Sequence, residues 1–377
     1  MKQTLFNHIK NIYGWKTKRK IVVLSIDDYG NVRLDSKKAR ENLNKAGLKV
    51  LSRFDAFDTL ETKEDLEALY DVLGSVKDKN GKPAIFTPYA LPCNINFAAM
   101  ASEGNERYIY ELLPETYNKL SAKDPTAYAG TWEVWKEGIA KGLMKPQFHG
   151  REHFNLKVFE EKLKKKDKEV LINLQNCSYT SISSTNYSTI SYTAAFAFQN
   201  QEDFPQLEAI LSDGVQQFEK VYGYKSKTFT PPAQQFPQDL LPLLPNIGIG
   251  AIDRPFQHQL HVGNGQFKKT FNVLKGDKKN KLIKLVRNVV FEPTHGDINH
   301  VEKAFQQVEA AFRWNKPAII SSHRVNFCGH IDESNRKKGL GALKSLLKEI
   351  TRRWPEVEFM AADELGELIA LDKNHHV

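Results

Sequence analysis

The run Ile21-Val22-Val23-Leu24-Ser25-Ile26-Asp27-Asp28-Tyr29-Gly30 decides the fold. Its first six residues, five of them apolar and mostly β-branched, make a strand suited to burial on both faces, as in a parallel sheet covered by helices. Two acids follow without a spacer. A carboxylate at the end of a buried strand is costly unless it is paired or metal-bound, and strand C-termini are where α/β barrels place their chemistry. Asp27 and Asp28 are therefore read as a site, against the plainer reading of an Asx turn with a helix cap. Successive strand side chains leave on opposite sides, so one acid can bind a metal while the loop turns the other toward substrate.

Six further runs resemble this one: Pro83–Thr87, Lys145–Phe148, Lys227–Thr230, Ile249–Ile252, Ala318–Ser322 and Val357–Met360. Helical spacing of apolar residues appears in Ser36–Gly47, Lys63–Val76, Leu156–Lys164, Leu207–Tyr222, Asn299–Trp314, Gly339–Arg353 and Asp363–Leu371, with Asp363 as the expected N-cap of the last. Alternating strands and helices predict βαβ units and a parallel sheet. Seven strands suit a closed barrel or an open doubly wound sheet. The long intervals 88–144, 171–200 and 254–292 read as elaborated loops on a single domain spanning 1–377, with its core at about 20–371. Within the last interval, Val262-Gly263-Asn264-Gly265-Gln266 is a hairpin-turn signal.

The 377 residues, 41% hydrophobic and 26% charged, can fill one large core. The longest uncharged stretch, Val170 to Asn200, is rich in Ser, Thr, Asn and Tyr and too polar to span a bilayer. Lysines interrupt every apolar cluster between Met1 and Lys20, so no signal peptide is expected. The expected location is cytoplasmic, with peripheral contact to the inner membrane face allowed by the basic balance. Three scattered cysteines without a C-x-x-C pair exclude a disulfide framework and a thiolate zinc site. The net charge of +9 is spread over Lys162–Lys168, Lys278–Lys284 and Arg336–Lys338. Such clusters are solvated faces in the plain reading. In the functional one they attract anionic partners, a nucleotide-linked or lipid-linked saccharide. No nucleic-acid recognition motif accompanies the charge, and the oligomeric state is left open.

Three further stretches can carry chemistry. His149-Gly150-Arg151-Glu152-His153 places two imidazoles four residues apart after a short strand, a donor set that suits zinc and its neighbours. It is not His-Glu-x-x-His, so no zincin-type protease is implied. Arg151 can orient a carboxylate and Glu152 can accept from His153; equally, both can be exposed residues at a helix start. The strand Ala318–Ser322 runs directly into His323-Arg324, and a histidine there can hold and deliver a proton near neutrality. Thr230-Pro231-Pro232-Ala233 fixes an extended exit from its strand. It can present the Ala233 N–H to an oxyanion or be only a rigid loop. Tyr108, Tyr110, Trp132 and Trp135 can stack on sugar rings or pack as the core of their insert.

Taken in order, these elements resemble the NodB-homology polysaccharide deacetylases, carbohydrate esterase family four. Ser25-Ile26-Asp27-Asp28 is similar to the family's first motif, His149 to Leu156 to its His-Ser/Thr-x-x-His motif, and Thr230-Pro231-Pro232-Ala233 to a degenerate Arg-Pro-Pro-Tyr. Ile252-Asp253-Arg254 is similar to its aspartate motif, and Ile320-Ser321-Ser322-His323 to its late Leu-x-His. His149–His153 and Ser322–Phe327 also resemble a divergent (de)acetylase-like subgroup of bacterial surface-polysaccharide gene clusters. The resemblance spans about Lys20 to Leu371. It implies a distorted (β/α)7 barrel of the glycoside hydrolase/deacetylase type and hydrolysis of an acyl group, on a linear amide C–N bond, from an acylated sugar. Asp28, His149 and His153 would hold a divalent metal, zinc first and nickel, cobalt or manganese as alternatives. Asp27 would be the base and His323 the acid, with the Ala233 amide at the oxyanion. The family's arginine is Thr230 here and its tyrosine is Ala233. Arg151, Arg254 and Arg324 are the candidates to replace that arginine, and Asp253 is the candidate to tune His323. Two other readings stand beside this one. A metal-independent glycoside hydrolase would pair Asp27 with Glu152, Asp253 or Glu292; a non-catalytic descendant would only bind carbohydrate.

Overall fold

The computed structural model describes residues 2–49, 52–183 and 190–372. Its centre is a sheet of seven parallel strands: β1 (Lys20–Tyr29), β2 (Phe86–Ala90), β3 (Gln147–Phe148), β4 (Thr228–Phe229), β5 (Ala251–Pro255), β6 (Leu282–Arg287, resumed at Val289–Val290) and β7 (Ala318–His323). Neighbours pair in the order β6-β5-β4-β3-β2-β1-β7. The first run of β6 pairs with β5, and the second run pairs with β7. The sheet thereby returns on itself through one strand, and the fold is a distorted seven-stranded α/β barrel. Asn288 makes the join. Its N–H donates to Ile319 O (3.2 Å), its Oδ1 accepts from Ile319 N–H (2.8 Å), and its Nδ2 donates to Pro317 O (2.9 Å).

Two expectations are corrected by this closure. The interval 254–292 is not only an elaborated loop, because it supplies β6. The expected strand at Val357–Met360 exists as Val357–Phe359, but among the described residues it pairs only with the start of β1. The rest of 254–292 includes the hairpin Gln257–His261 and Phe267–Phe271, which turns through Gly263, Asn264 and Gly265, all in the left-handed region.

The expected helices form at Lys37–Lys45, Lys63–Gly74, Leu156–Lys164, Phe204–Tyr222, His300–Arg313, Glu333–Arg353 and Ala362–Leu371. The sixth starts earlier than its apolar spacing suggested, because Asp332 caps it by accepting from Ser334 N–H. Asp363 is not a cap: Ala361 takes that position, and Asp363 sits in the first turn, 2.7 Å from Lys145 Nζ. In the interval 88–144, Tyr117 and Trp135 are almost wholly buried and pack with Trp132 and Tyr222. Tyr108 meets Phe154 and Phe159 edge-on. These aromatics are core rather than a sugar-stacking surface. Residues 184–189 of the interval 171–200 lie outside the described residues. No helix among the described residues is long and apolar enough to cross a membrane.

Candidate active site

Asp27 and Asp28 both reach one cavity because β1 is irregular where they sit. Its register with β2 slips between Ile26 and Tyr29, and Asp28 adopts φ +77°. A bulge of this kind breaks the two-residue alternation and re-aims a side chain, and aspartate tolerates the left-handed region better than most residues. The cavity, about 320 Å³, is lined by Asp27, Asp28, His149, His153, Arg287 and His323 among others.

His149 leaves the end of β3. Its Nδ1–H donates to Thr230 O at 2.8 Å, which orients the ring and turns Nε2 toward Asp28 Oδ1, 3.3 Å away. Gly150, at φ +136°, turns the chain back where a Cβ would press on Glu152 O at 3.1 Å. Asn155 ends the turn by capping the helix Leu156–Lys164, and its Nδ2 donates to Ala194 O and Ala197 O. His153, between these fixed points, brings Nε2 to 3.0 Å from the same Asp28 Oδ1. Its Nδ1 has no hydrogen-bond partner among the described residues.

The three donor atoms lie within 4.8 Å of one another, and all three residues are buried. Ligands about 2.0–2.2 Å from a tetrahedral zinc stand roughly 3.3 Å apart, which the two Asp28–histidine distances match. Burial alone would raise the Asp28 carboxyl. The field and hydrogen bonds of His153 and His149 outweigh it and hold the group well below the usual carboxylate range. Burial outweighs the pull of Asp28 and lowers His153, the direction that favours a neutral imidazole. An anionic carboxylate and neutral imidazoles are the forms that bind a metal.

Asp27 is gripped from the far side of the barrel. Arg287 on β6 donates from Nη1 to Oδ2 (2.6 Å) and from Nη2 to Oδ1 (2.7 Å), a bidentate pair. Its Nε donates to Asp253 Oδ2 on β5 (3.1 Å), Nη2 reaches Thr230 Oγ1 (3.3 Å), and the guanidinium lies over Tyr89, 5.1 Å from the ring centre. Parallel pairing sets Asp27 beside His323 in register, and His323 Nε2 stands 3.9 Å from Asp27 Oδ2. That gap exceeds a direct hydrogen bond, and both side chains line the cavity. His323 Nδ1 pairs with Glu292 Oε1 at 2.6 Å. Glu292 also receives Arg53 and the Asn326 amide, and Phe54 meets the imidazole edge-on. Burial would lower the imidazole, but Glu292 prevails and raises it to about 9. Burial pushes the Glu292 carboxyl up, while His323 and Arg53 draw it down to about 2.

The remaining expected residues divide. Ala233 lines the cavity at φ +52°, followed by Gln234 at φ +58°. Asp253 adjoins the site through Arg287 and does not contact His323; Glu292 takes that place. None of the three arginines proposed to hold Asp27 does so. Arg151 pairs bidentately with Glu152 and with Asp213 at 2.8 Å, and both Arg151 and Glu152 are buried rather than exposed. Arg254 lines a separate cavity behind β5. Arg324 is sealed between Asp58 (3.0 Å) and Glu61 (2.9 Å). The arginine that grips Asp27 was missed because Leu282-Ile283-Lys284-Leu285-Val286-Arg287-Asn288-Val289-Val290, a β-branched run after a polar turn, fell inside the expected insert.

No protein-family model and no curated protein sequence matches the chain. Among solved structures, a probable polysaccharide deacetylase from Pseudomonas aeruginosa PAO1 aligns over 93% of this chain and 91% of its own, at 11% identity and a TM-score of 0.44. A family 4 acetyl xylan esterase from Clostridium thermocellum aligns over 93% and 91%, at 11% identity and 0.36. The 4-alpha-glucanotransferase from Thermococcus litoralis aligns over 92% of this chain and 40% of its own, at 11% and 0.44. At these values no chemistry carries over from any of them.

Proposed function

We propose that the chain is a metal-dependent hydrolase that removes an acetyl or related acyl group from an N- or O-acylated sugar. The observation that carries this reading is the arrangement in one cavity of Asp28, His149 and His153 with a gripped carboxylate, Asp27, and a paired imidazole, His323. A divalent ion held by Asp28, His149 and His153 would supply Lewis acidity toward the acyl oxygen and acidify water. Asp27, held on both oxygens by Arg287, accepts the proton of the attacking water. His323, protonated through neutrality by its pairing with Glu292, donates from Nε2 to the departing amine or alcohol. The two groups line one cavity 3.9 Å apart, so a substrate bound in that cavity can meet acceptor and donor from the same side. Arg287 and Glu292 hold these groups in place from the side away from the reaction. The Ala233 turn borders the same space and is the candidate to meet the developing oxyanion.

A cavity of about 320 Å³ is at the small end of ligand sites and suits one sugar ring with its acyl group. Zinc is the first expectation from two histidines and one carboxylate. A nucleotide-linked or lipid-linked sugar, as in bacterial surface-polysaccharide metabolism, is the substrate class that the basic balance favours. The two-carboxylate glycosidase reading is less well supported, because each proposed partner of Asp27 is engaged elsewhere: Glu152 by Arg151, Asp253 by Arg287, Glu292 by His323 and Arg53.

The test is metal content by mass spectrometry, paired with acetate release from a panel of nucleotide-linked and oligomeric N-acetyl sugars. Stoichiometric metal and chelator-sensitive release are expected. Asp27→Asn should keep the metal and lose about 100- to 10,000-fold in turnover, the usual weight of a general base. Absence of metal both as purified and after soaking, or turnover that survives chelation, sinks the reading.

A further inference from the structure

Behind β5 lies a second cavity, of about 160 Å³, whose lining includes Gln238, Arg254, His258, Thr270, Asn272 and Lys284. Adjacent residues of a strand face opposite ways. Asp253 turns inward to Arg287, and Arg254 turns outward into this cavity. Only 4% of Arg254 is exposed. Its Nη1 donates to His258 Nε2 at 3.0 Å, and its Nη2 is buried with no partner among the described residues. No carboxylate of the described residues pairs with it. Asp277, the nearby acid, is taken by Lys284 at 2.8 Å.

Every other deeply buried arginine of the barrel has an acid. Arg287 has Asp27 and Asp253, and Arg324 has Asp58 and Glu61. A buried guanidinium without a counter-charge costs several kcal/mol. Burial pushes this one down to about 10, still charged at neutral pH. His258 does not relieve it: a ring nitrogen that accepts from an arginine must be unprotonated, and burial with the adjacent Arg254 lowers this imidazole to about 4. Thr270, Asn272, Gln238 and Lys284 share the cavity wall with Arg254; Thr270 and Asn272 bond to His258, and Lys284 is paired with Asp277. The cavity therefore offers a fixed positive charge with one unused donor, a polar wall and no carboxylate among its lining residues.

We propose that this cavity is an oxyanion site of the phosphate class, with Arg254 as its principal ligand. A buried guanidinium with an unused donor and no acid partner suits an anion, and its fork matches phosphate geometry. The phosphate can be free or the terminal group of a larger soluble or lipid molecule. The site stands independently of the hydrolase reading, since it shares no lining residue with the catalytic cavity.

The probe is inorganic phosphate, titrated at constant ionic strength into the full-length chain and followed by calorimetry and by the ring ¹⁵N shifts of His258. Saturable binding that moves the His258 resonances is expected. Arg254→Leu should weaken binding roughly 10- to 100-fold, the weight of a charged hydrogen bond, and Arg254→Lys should restore part of it. Asp28→Ala should leave phosphate binding intact, which separates this cavity from the catalytic one. Sedimentation with phosphatidic acid vesicles but not phosphatidylcholine vesicles, lost in Arg254→Leu, assigns the anion to a lipid headgroup. Phosphate binding without vesicle binding assigns it to a soluble molecule. If phosphate leaves the His258 signals of the unmutated chain unmoved, the proposal is overturned, whether or not the leucine variant folds. Unchanged affinity in a folded Arg254→Leu overturns it equally.

Discussion

Arg287 and Arg324 are chemically the same arrangement put to different uses. Each is a nearly inaccessible guanidinium between two acids, Asp27 and Asp253 for the first, Asp58 and Glu61 for the second. Arg324 directly follows His323, yet it points away from the cavity. Glu61 in that cluster also accepts from Gly30 N–H (3.0 Å), Tyr117 Oη (2.9 Å) and Trp135 Nε1 (3.2 Å). It ties the loop after Asp28 to the aromatic insert and leaves nothing for a substrate. Arg287 sits far from any motif in sequence, but one of its two acids opens to the cavity. The difference teaches that proximity to a motif along the chain is a poor guide to function, while the face of the barrel a side chain takes is a good one.

The comparison can be broken most forcefully at Arg324. Arg324→Met strands two buried carboxylates, and removing one partner of such a network typically costs about 3–5 kcal/mol. Urea denaturation of the metal-free chain should show a loss of that size, and any variant that remains folded should keep its metal affinity. A loss below about 1 kcal/mol would mean that Asp58 and Glu61 find protons or water instead, and the two arginines would no longer differ as described.

Arg287→Met is the complementary test. It also costs stability, since Asp253 loses its cation, but Asp27 can still be hydrated from the cavity. The distinguishing effect is on turnover, expected to fall about 10- to 100-fold, as for groups that orient the residues of a metal site, with metal content unchanged. Arg287→Lys should recover little, because a single ammonium cannot hold both oxygens in one plane. Equal turnover in the arginine, lysine and methionine forms would remove Arg287 from any positioning role.

The same contrast explains which parts of the site were legible in the sequence. Asp27 and Asp28 directly follow an apolar run, His323 closes another, and the four-residue spacing of His149 and His153 after a short strand marks them as a pair, so local pattern placed all five. The helices were legible because their apolar spacing is long. Arg287 was not, and Glu292 entered only as a candidate acid of the glycosidase reading rather than as the partner of His323, for two physical reasons. The strand that carries Arg287 and leads to Glu292 is interrupted by Lys284 and Asn288 and lies beside a lysine-rich turn, which weakens its apolar signal. Their role also depends on barrel closure, a long-range pairing of β6 with β5 and β7 that no local window contains. Arg151 and Arg254 misled for the opposite reason: they neighbour motif residues, but a helix contact and strand alternation turn them elsewhere. The bulge at Asp28 was hidden as well, since its left-handed backbone falls on an aspartate rather than a glycine.

Glu292 offers the finest test, because it acts on His323 as Arg287 acts on Asp27. Its pairing raises the imidazole to about 9, above the ordinary value near 6.5. A raised histidine contributes stability that is fully present below about pH 6.5 and fades as pH climbs through 9. The same shift sets the alkaline limb of kcat/KM, because the acid must carry its proton in the free enzyme. Glu292→Gln keeps the shape of the side chain and removes the charge. The alkaline limb should then move from near 9 toward about 6.5, with turnover at pH 6 falling only a few-fold and metal content unaltered. The acidic limb should stay where it is. A profile whose alkaline limb does not move would detach His323 from proton donation, and Glu292 would then be no more than a structural partner, as Asp58 and Glu61 are to Arg324.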